Sequence, residues 1–493
     1  METIGKLAMK SAAAYPTKLA AKDDHRSFTY KEIMGRALAL VTYFEKCGLE
    51  KGDRFGILMS NRIEHIELDI AAALSGVIKV PLNYRLHWKE HEYMLEDAGV
   101  KVIIGEDELL DSLKSDIPTL SVGDSYERVI ESENRPSALP EIKEDDVFAI
   151  MYTSGTTGNP KGVMLSHRNI ISGALSLALV CEATYDDVIG HVAPLTHGSN
   201  FLSHVAWLYG LTQVVFSKFE PEEFVADLER EKVTMIFLVP TMVNLMIQHP
   251  NFDPQKLASL KSINMAGSPI SSSKLEQAIA LTGPIFAETF GQVEAPMCIT
   301  MMPKHELADH LESCGRVGPF VDVKIVDDSG IEVQDGEVGE IVCKGSLVMQ
   351  GYWNNEKATA ETLKDGWLQT GDLGWKNETG YVHIVDRKKD VIISGGVNIY
   401  PGEVEEVLTK HEGVKEACVI GVPDEKWGES VVAYIVPNGV SPVTDEELIQ
   451  LCLDNMASFK KPKEIHFVEK LPKSSYGKIL KRELRNQHLE VKL

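Results

Sequence analysis

Tyr152-Thr-Ser-Gly-Thr-Thr-Gly-Asn-Pro-Lys-Gly162 follows the apolar run Val147-Phe-Ala-Ile-Met-Tyr152 and precedes Val163-Met-Leu-Ser-His-Arg-Asn169. The apolar run reads as a buried strand, and the glycine- and hydroxyl-rich stretch after it as a loop. Gly155, Gly158 and Gly162 free the backbone, so that its N–H groups can surround phosphate oxygens. Thr153, Ser154, Thr156 and Thr157 add hydroxyl donors or a metal ligand, and Lys161 supplies a cation. Lys161 is followed by Gly162, where a Walker loop needs Ser or Thr. A P-loop kinase or GTPase is therefore disfavoured.

Outward from this loop, the first part of the chain alternates helical and strand-like stretches. DRFGILMS, KVPLN, VIIGE, DVIGHVAPL, TQVVFS and TMIFLVP are short branched apolar runs with helical patterns between them. That order predicts layered, parallel α/β sheets. VDVKIVD, GEIVCKG and GYVHIVD, with turn signals DDSG, QDGE and NETG between them, predict a β-rich subdomain at 321–386. After Asp386-Arg-Lys-Lys-Asp390 the pattern becomes a compact α+β unit: EVEEVLTKHEGV and TDEELIQLCLDNM as helices, ACVIGV and SVVAYIV as strands.

The chain has 493 residues and a formal net charge of −23. Such a surface repels nucleic acid and anionic membranes, so neither is expected as a partner. Phosphate-bearing ligands are repelled too, so a site for one must carry its own cations or metal. The seven cysteines form no CxxC pair and are odd in number, which fits a reducing cytoplasm rather than a disulfide framework. The N-terminus lacks the apolar core of a signal peptide. No apolar run reaches the ~18–20 residues needed to cross a bilayer. Ile170 to Cys181, interrupted by Ser172, Gly173 and Ser176, reads as a buried helix.

The 152–162 loop, ending in Pro-Lys-Gly-Val, resembles that of the adenylate-forming superfamily: acyl- and aryl-CoA synthetases, peptide-synthetase adenylation domains and luciferase. Further resemblances follow in the family's order. Thr289-Phe-Gly-Gln-Val-Glu-Ala295 resembles the aromatic-Gly-x-Thr-Glu segment, with Val293 where threonine is usual. The resemblance implies that Phe290 stacks on adenine beside Gly291, and that Glu294 holds magnesium together with Thr157. Gly267-Ser268-Pro269 resembles the turn between the acyl and adenine pockets. Leu368-Gln-Thr-Gly-Asp372 resembles the segment whose aspartate takes both ribose hydroxyls, a need that a bidentate carboxylate acceptor meets. In Asp386-Arg-Lys-Lys-Asp390, Arg387 falls where the family reaches ribose or phosphate, and Lys389 where its hinge residue sits. Leu471-Pro-Lys-Ser-Ser-Tyr-Gly-Lys-Ile479 resembles the catalytic lysine loop, which makes Lys478 the contact to the acyl carboxylate and α-phosphate. His197 of Ala193-Pro-Leu-Thr-His-Gly-Ser-Asn200 resembles the residue lining the acyl site, and Gly198, Ser199, Asn200 and Met242 complete that pocket. Lys478, His197 and Glu294 form the implied catalytic set.

The expected fold is α/β. A large N-terminal AMP-binding domain, 1–388, carries layered sheets and a β-rich subdomain. A small mobile α+β lid, 389–493, completes the chain. The lid presents Lys478 in one state and the Gly395-Gly396 strand, lining a thiol tunnel, in the other. The expected reaction is that of an ATP-dependent acid–CoA ligase. The acid and Mg-ATP give acyl-AMP and pyrophosphate, and coenzyme A then takes the acyl group. Lys460 and Lys461 are candidates for the coenzyme's phosphates. A carrier-protein thiol is the alternative acceptor, and a catalytically silent nucleotide-binding regulator the alternative class. An aryl or medium-chain acid is favoured, and the sequence leaves a homodimer open.

Overall fold

The computed structural model describes residues 2–132, 136, 138–153, 160–268, 270–473 and 479–491. The branched apolar runs form strands where expected. In one seven-stranded sheet, Arg54–Leu58 is flanked by Ile78–Pro81 and Val100–Gly105, all parallel. Val147–Thr153 joins Ile78–Pro81 in parallel, and Lys161–Ser166 returns antiparallel beside it. A nine-stranded sheet carries a parallel series in the order Val188–His191, Met235–Leu238, Ser262–Met265 and Phe286–Phe290, followed by Thr300–Met302 and the edge strand Arg316–Val317, both antiparallel to their neighbours. Strands such as Met235–Leu238 are buried at every residue, as parallel strands covered on both faces must be.

The stretch read as a buried helix is His167–Val180, capped by the Ser166 hydroxyl in a reciprocal arrangement with Asn169. Among the described residues, no helix is long and apolar enough to cross a membrane.

The β-rich region is a five-stranded sheet of Val321–Val326, Gly339–Gly345, Trp367–Lys376, Leu363–Lys364 and Val382–Arg387. The C-terminal sheet is built on the long antiparallel pair Val414–Asp424 and Gly428–Pro437. Val431, Ala433 and Ile435 face one apolar cluster with Leu408, Leu448 and Cys452. Val432, Tyr434 and Val436 face another with Leu471 and Leu484, which is the period-two alternation of a strand covered on both sides.

By compactness the chain forms two units. One comprises 1–269, 278–323 and 343–368, and the other 270–277, 324–342 and 369–493. Residues 389–493 lie wholly in the second.

Candidate active site

In the first unit, Val147–Thr153 and Lys161–Ser166 pair so that Thr153 stands opposite Lys161 and Tyr152 opposite Gly162. The hydroxyl-rich loop is thus the connection of a hairpin. Ser154, Gly155, Thr156, Thr157 and Gly158 lie outside the described residues. Gly162 follows Lys161 for a packing reason: a Cβ there would stand 2.7 Å from Ile150 Cγ2 and 3.1 Å from the Tyr152 ring. Gly351–Tyr352 adds to the outer edge of the hairpin, pairing Tyr352 with Val163. The Lys161 ammonium then lies 4.9 Å from the centroid of the Tyr352 ring, in cation–π range. The Tyr352 hydroxyl donates to Glu294 Oε1 at 2.8 Å. Burial, reinforced by the Glu294 carboxylate, raises the pKa of Tyr352, so its proton stays in that bond.

Lys161, Tyr352 and Glu294, distant in sequence, therefore form one chain of contacts. Tyr352 was not singled out from the sequence. Its signal was the aromatic pair Tyr352-Trp353 after Gly351, whose φ of +142° few other residues adopt.

Phe290 ends the strand Phe286–Phe290. The chain folds back so tightly that a Cβ at Gly291 would lie 2.6 Å from the Met297 backbone nitrogen. Gln292 N donates to Ala295 O at 3.0 Å, and Met349 N to Glu294 O at 2.8 Å, fixing the turn that carries the carboxylate. Val293, where a hydroxyl was expected, packs with Phe290 against the main apolar core. Gly267 has φ +95°, with Val239 the nearest side chain to its missing Cβ at 3.8 Å. Ser268 is half-buried beside it.

His197 occupies the position just before the helix Gly198–Ser203, with Nδ1 3.1 Å from the Thr196 hydroxyl. Burial pulls its pKa down to about 4, so the ring is neutral at physiological pH. The Phe237 ring lies against Gly198, 2.9 Å from where a Cβ would stand. Met242 is partly buried against the same core. Ser199 and Asn200 turn their polar groups inward. Ser199 Oγ meets His191 Nδ1 at 2.9 Å. The Asn200 amide donates to Asp69 Oδ2 at 2.7 Å, and its oxygen accepts from Lys79 Nζ at 2.8 Å. Lys79 and Asp69 pair at 2.5 Å, both buried. The two side chains hold the helix from behind, while His197 and Gly198 stand half-buried at its start.

In the second unit, Asp372 and Arg387 are cross-strand partners, with Arg387 Nε 2.6 Å from Asp372 Oδ1. Asp372 is nearly buried. Its N–H donates to the Thr370 hydroxyl at 3.1 Å, and Gly371 before it has φ +70°. Asp386 accepts from Arg387 N and from Gly402 N, both at 2.7 Å. It thereby ties the strand to the start of the helix Pro401–Leu408. Lys388 pairs with Asp328 at 2.8 Å and Glu340 at 3.1 Å, and Asp390 with Arg485 at 3.0 Å. Lys389 between them is exposed.

Gly395 and Gly396 do not lie within a strand. They are the two-residue turn of the hairpin Ile392–Ser394 and Val397–Ile399, with φ +60° and +80°. A turn with both central residues at positive φ matches the strand twist, and glycine permits it. Lys460 is engaged by Glu403 at 2.5 Å, and Lys461 is half-buried. Lys478 lies outside the described residues, but Lys473 and Ile479 bridge across the ends of its loop.

A family profile described as AMP-binding enzyme matches residues 9–353, and one described as AMP-binding enzyme C-terminal domain matches residues 403–478. The chain belongs to the AMP-binding enzyme family. Feruloyl-CoA synthase from Amycolatopsis sp is 34% identical over 486 residues, covering 98% of this chain and 99% of that protein. ATP-bound MatB from Rhodopseudomonas palustris superposes with a TM-score of 0.92 at 29% identity, over 99% of this chain and 100% of that one. The o-succinylbenzoate CoA synthetase MenE from Bacillus subtilis, in complex with its acyl-adenylate intermediate, gives 0.88 at 30% identity, over 97% of each chain. The layered α/β reading and the adenylate-forming assignment both stand.

Proposed function

We infer that this AMP-binding enzyme is an ATP-dependent acid–CoA ligase acting through an acyl-adenylate. The observation that carries the reading is its end-to-end similarity to an acid–CoA synthase, together with the linked Lys161, Tyr352 and Glu294 beside the phosphate-loop hairpin. In the first step a carboxylate oxygen attacks the α-phosphorus of ATP, and pyrophosphate leaves. In the second the coenzyme A thiol attacks the acyl carbonyl and loses its proton, and AMP leaves. Neither step needs a protein nucleophile; the work is positioning and charge stabilisation.

Phe290 stacks on adenine, Asp372 accepts the ribose hydroxyls beside Arg387, and Thr153 to Gly158 with Lys161 surround the phosphates. Glu294, half-buried with one oxygen held by Tyr352, is a hard oxygen donor that fits magnesium, with Thr157 as its partner. Magnesium, when bound, neutralises phosphate charge. His197, neutral at physiological pH, borders the acyl group without adding charge to it. The region 389–493 brings Lys478 to the first step and the Gly395-Gly396 turn to the second.

An aryl acid is the favoured substrate class, in line with the feruloyl and o-succinylbenzoyl groups of the relatives. Pyrophosphate release with a panel of aryl and alkanoic acids, and mass detection of the acyl-CoA formed, tests the reading. Acid-dependent pyrophosphate without acyl-CoA, and with acyl transfer to a carrier protein, would replace coenzyme A by the alternative acceptor. Pyrophosphate release with alkanoic acids alone would remove the aryl class.

A further inference from the structure

Away from the nucleotide residues, the second unit brings together three side chains that the reaction does not use. Glu464 and His466 alternate onto one face of the strand Glu464–Phe467. His488 reaches them from the helix Lys481–Val491. One ligand atom from each lies within 4.8 Å of the other two. Nε2 of His466 is 3.4 Å from Glu464 Oε2, and Nε2 of His488 is 3.8 Å from the same oxygen. The two imidazole centroids are 5.4 Å apart, with the rings inclined by 75°.

These spacings can be compared with those around zinc. With Zn–N bonds of about 2.0–2.1 Å, two ligand atoms on one tetrahedral ion lie about 3.3 Å apart, and two imidazole centroids about 5 Å apart. The ring separation already fits, and both imidazole–carboxylate pairs need to close by about half an ångström or less, with the two ring nitrogens closing by at most about 1.5 Å.

The surrounding groups orient the rings as ligands. The Tyr434 hydroxyl lies 3.0 Å from His488 Nδ1, which turns Nε2 towards Glu464. An oxygen at the remote ring nitrogen is the usual way in which a ligating histidine is held. The Tyr434 ring also stacks on His466, centroids 5.1 Å apart and planes inclined by 26°. The His488 side chain is 4% exposed, whereas Glu464 and His466 are 39% and 43% exposed. One ligand side chain is thus buried, and the other two are partly exposed.

We propose that Glu464, His466 and His488 form a binding site for zinc-class divalent ions, clamping the C-terminal helix to the strand Glu464–Phe467. Two imidazoles and one carboxylate suit Zn²⁺, and nitrogen donors disfavour Mg²⁺. Three protein ligands leave a fourth position for water.

The test uses the full, untagged, chelator-stripped chain, titrated with Zn²⁺ by calorimetry in the absence of nucleotide. The expected result is one equivalent bound, weakened about tenfold or more in His466→Gln and in Glu464→Gln. Both alter the exposed rim, and circular dichroism checks their folding. Zn²⁺ should raise the melting temperature of the wild-type chain and not of these variants. Co²⁺ should give the visible bands of a tetrahedral centre. Cys47→Ser, which removes an exposed thiol, should bind as the wild type does. Absence of stoichiometric binding, equal affinity in His466→Gln, or binding lost in Cys47→Ser would each overturn the site.

Discussion

Tyr352 shows what a single side chain contributes. Its ring faces the Lys161 ammonium and its hydroxyl holds Glu294, so it fixes a cation and an anion relative to each other. Tyr352→Phe keeps the ring and removes the hydroxyl. A hydrogen bond to a charged group is worth about 1.5–3 kcal/mol. The expected outcome is a rise of at least tenfold in the KM for Mg-ATP, with a smaller change for the acid, measured by pyrophosphate release. An unchanged KM would separate Tyr352 from the nucleotide site. Lys478→Ala should slow adenylation by about 2.7–4 kcal/mol, the cost of losing one transition-state charge contact. Conversion of supplied acyl-AMP to acyl-CoA should be spared, and equal loss of both steps would contradict its assignment. Lys161, Glu294, Asp372 and Lys478 could be proposed from the sequence because each sits in a short motif whose chemistry its neighbours repeat. Tyr352 was not, because its role arises only when the edge strand Gly351–Tyr352 pairs with Lys161–Ser166.

At the scale of elements, strands declared themselves wherever branched apolar residues ran together, as in Met235–Leu238 and Gly428–Pro437. The hairpin turn at Gly395-Gly396 did not. Two glycines inside an otherwise apolar stretch fit a bent strand and a two-residue turn equally well in sequence, and the positive φ of both decides it. The short Lys388–Asp390 turn makes the sharpest prediction at this scale. Its neighbours Lys388 and Asp390 are anchored by ion pairs, whereas Lys389 is exposed. Proline fixes φ near −65° and restricts the residue before it, so Lys389→Pro should freeze a hinge at this point. One half-reaction should proceed and the other stop. Pyrophosphate and acyl-CoA are measured separately, with a melting curve as control. Near-normal rates of both steps in a stable variant would remove Lys389 from the mechanism.

For the whole molecule, buried histidines set the response to acid. Burial lowers His167 and His191 to about 4 and His204 to about 3, against about 6.5 in an unfolded chain. Below about pH 6.5 the unfolded state binds more protons than the folded one, so stability rises with pH across that window. Full stability is present above about pH 6.5 and is lost as pH falls towards the folded values. Taken in full, the shifts of His167 and His191 correspond to roughly 3 kcal/mol each and that of His204 to roughly 5 kcal/mol, all of it lost only once the pH is below the folded values. The melting temperature should fall steeply between about pH 6.5 and 5, and a flat profile over that range would contradict the burial of these rings.

The reaction itself is the remaining whole-molecule property. It was legible because the motifs between Tyr152 and Ile479 keep the family's order. The acid was not, because no motif names it: around His197 and Gly198, proposed here to border the acyl group, it is side-chain packing such as that of Phe237 against Gly198 that sets the space. The most direct measurement follows AMP, pyrophosphate and acyl-CoA together in one reaction of the chain with ATP, magnesium, coenzyme A and an aryl acid. The account predicts that all three appear in equal amounts, and only when the acid is present. ADP and phosphate in their place, or nucleotide turnover independent of the acid, would contradict it.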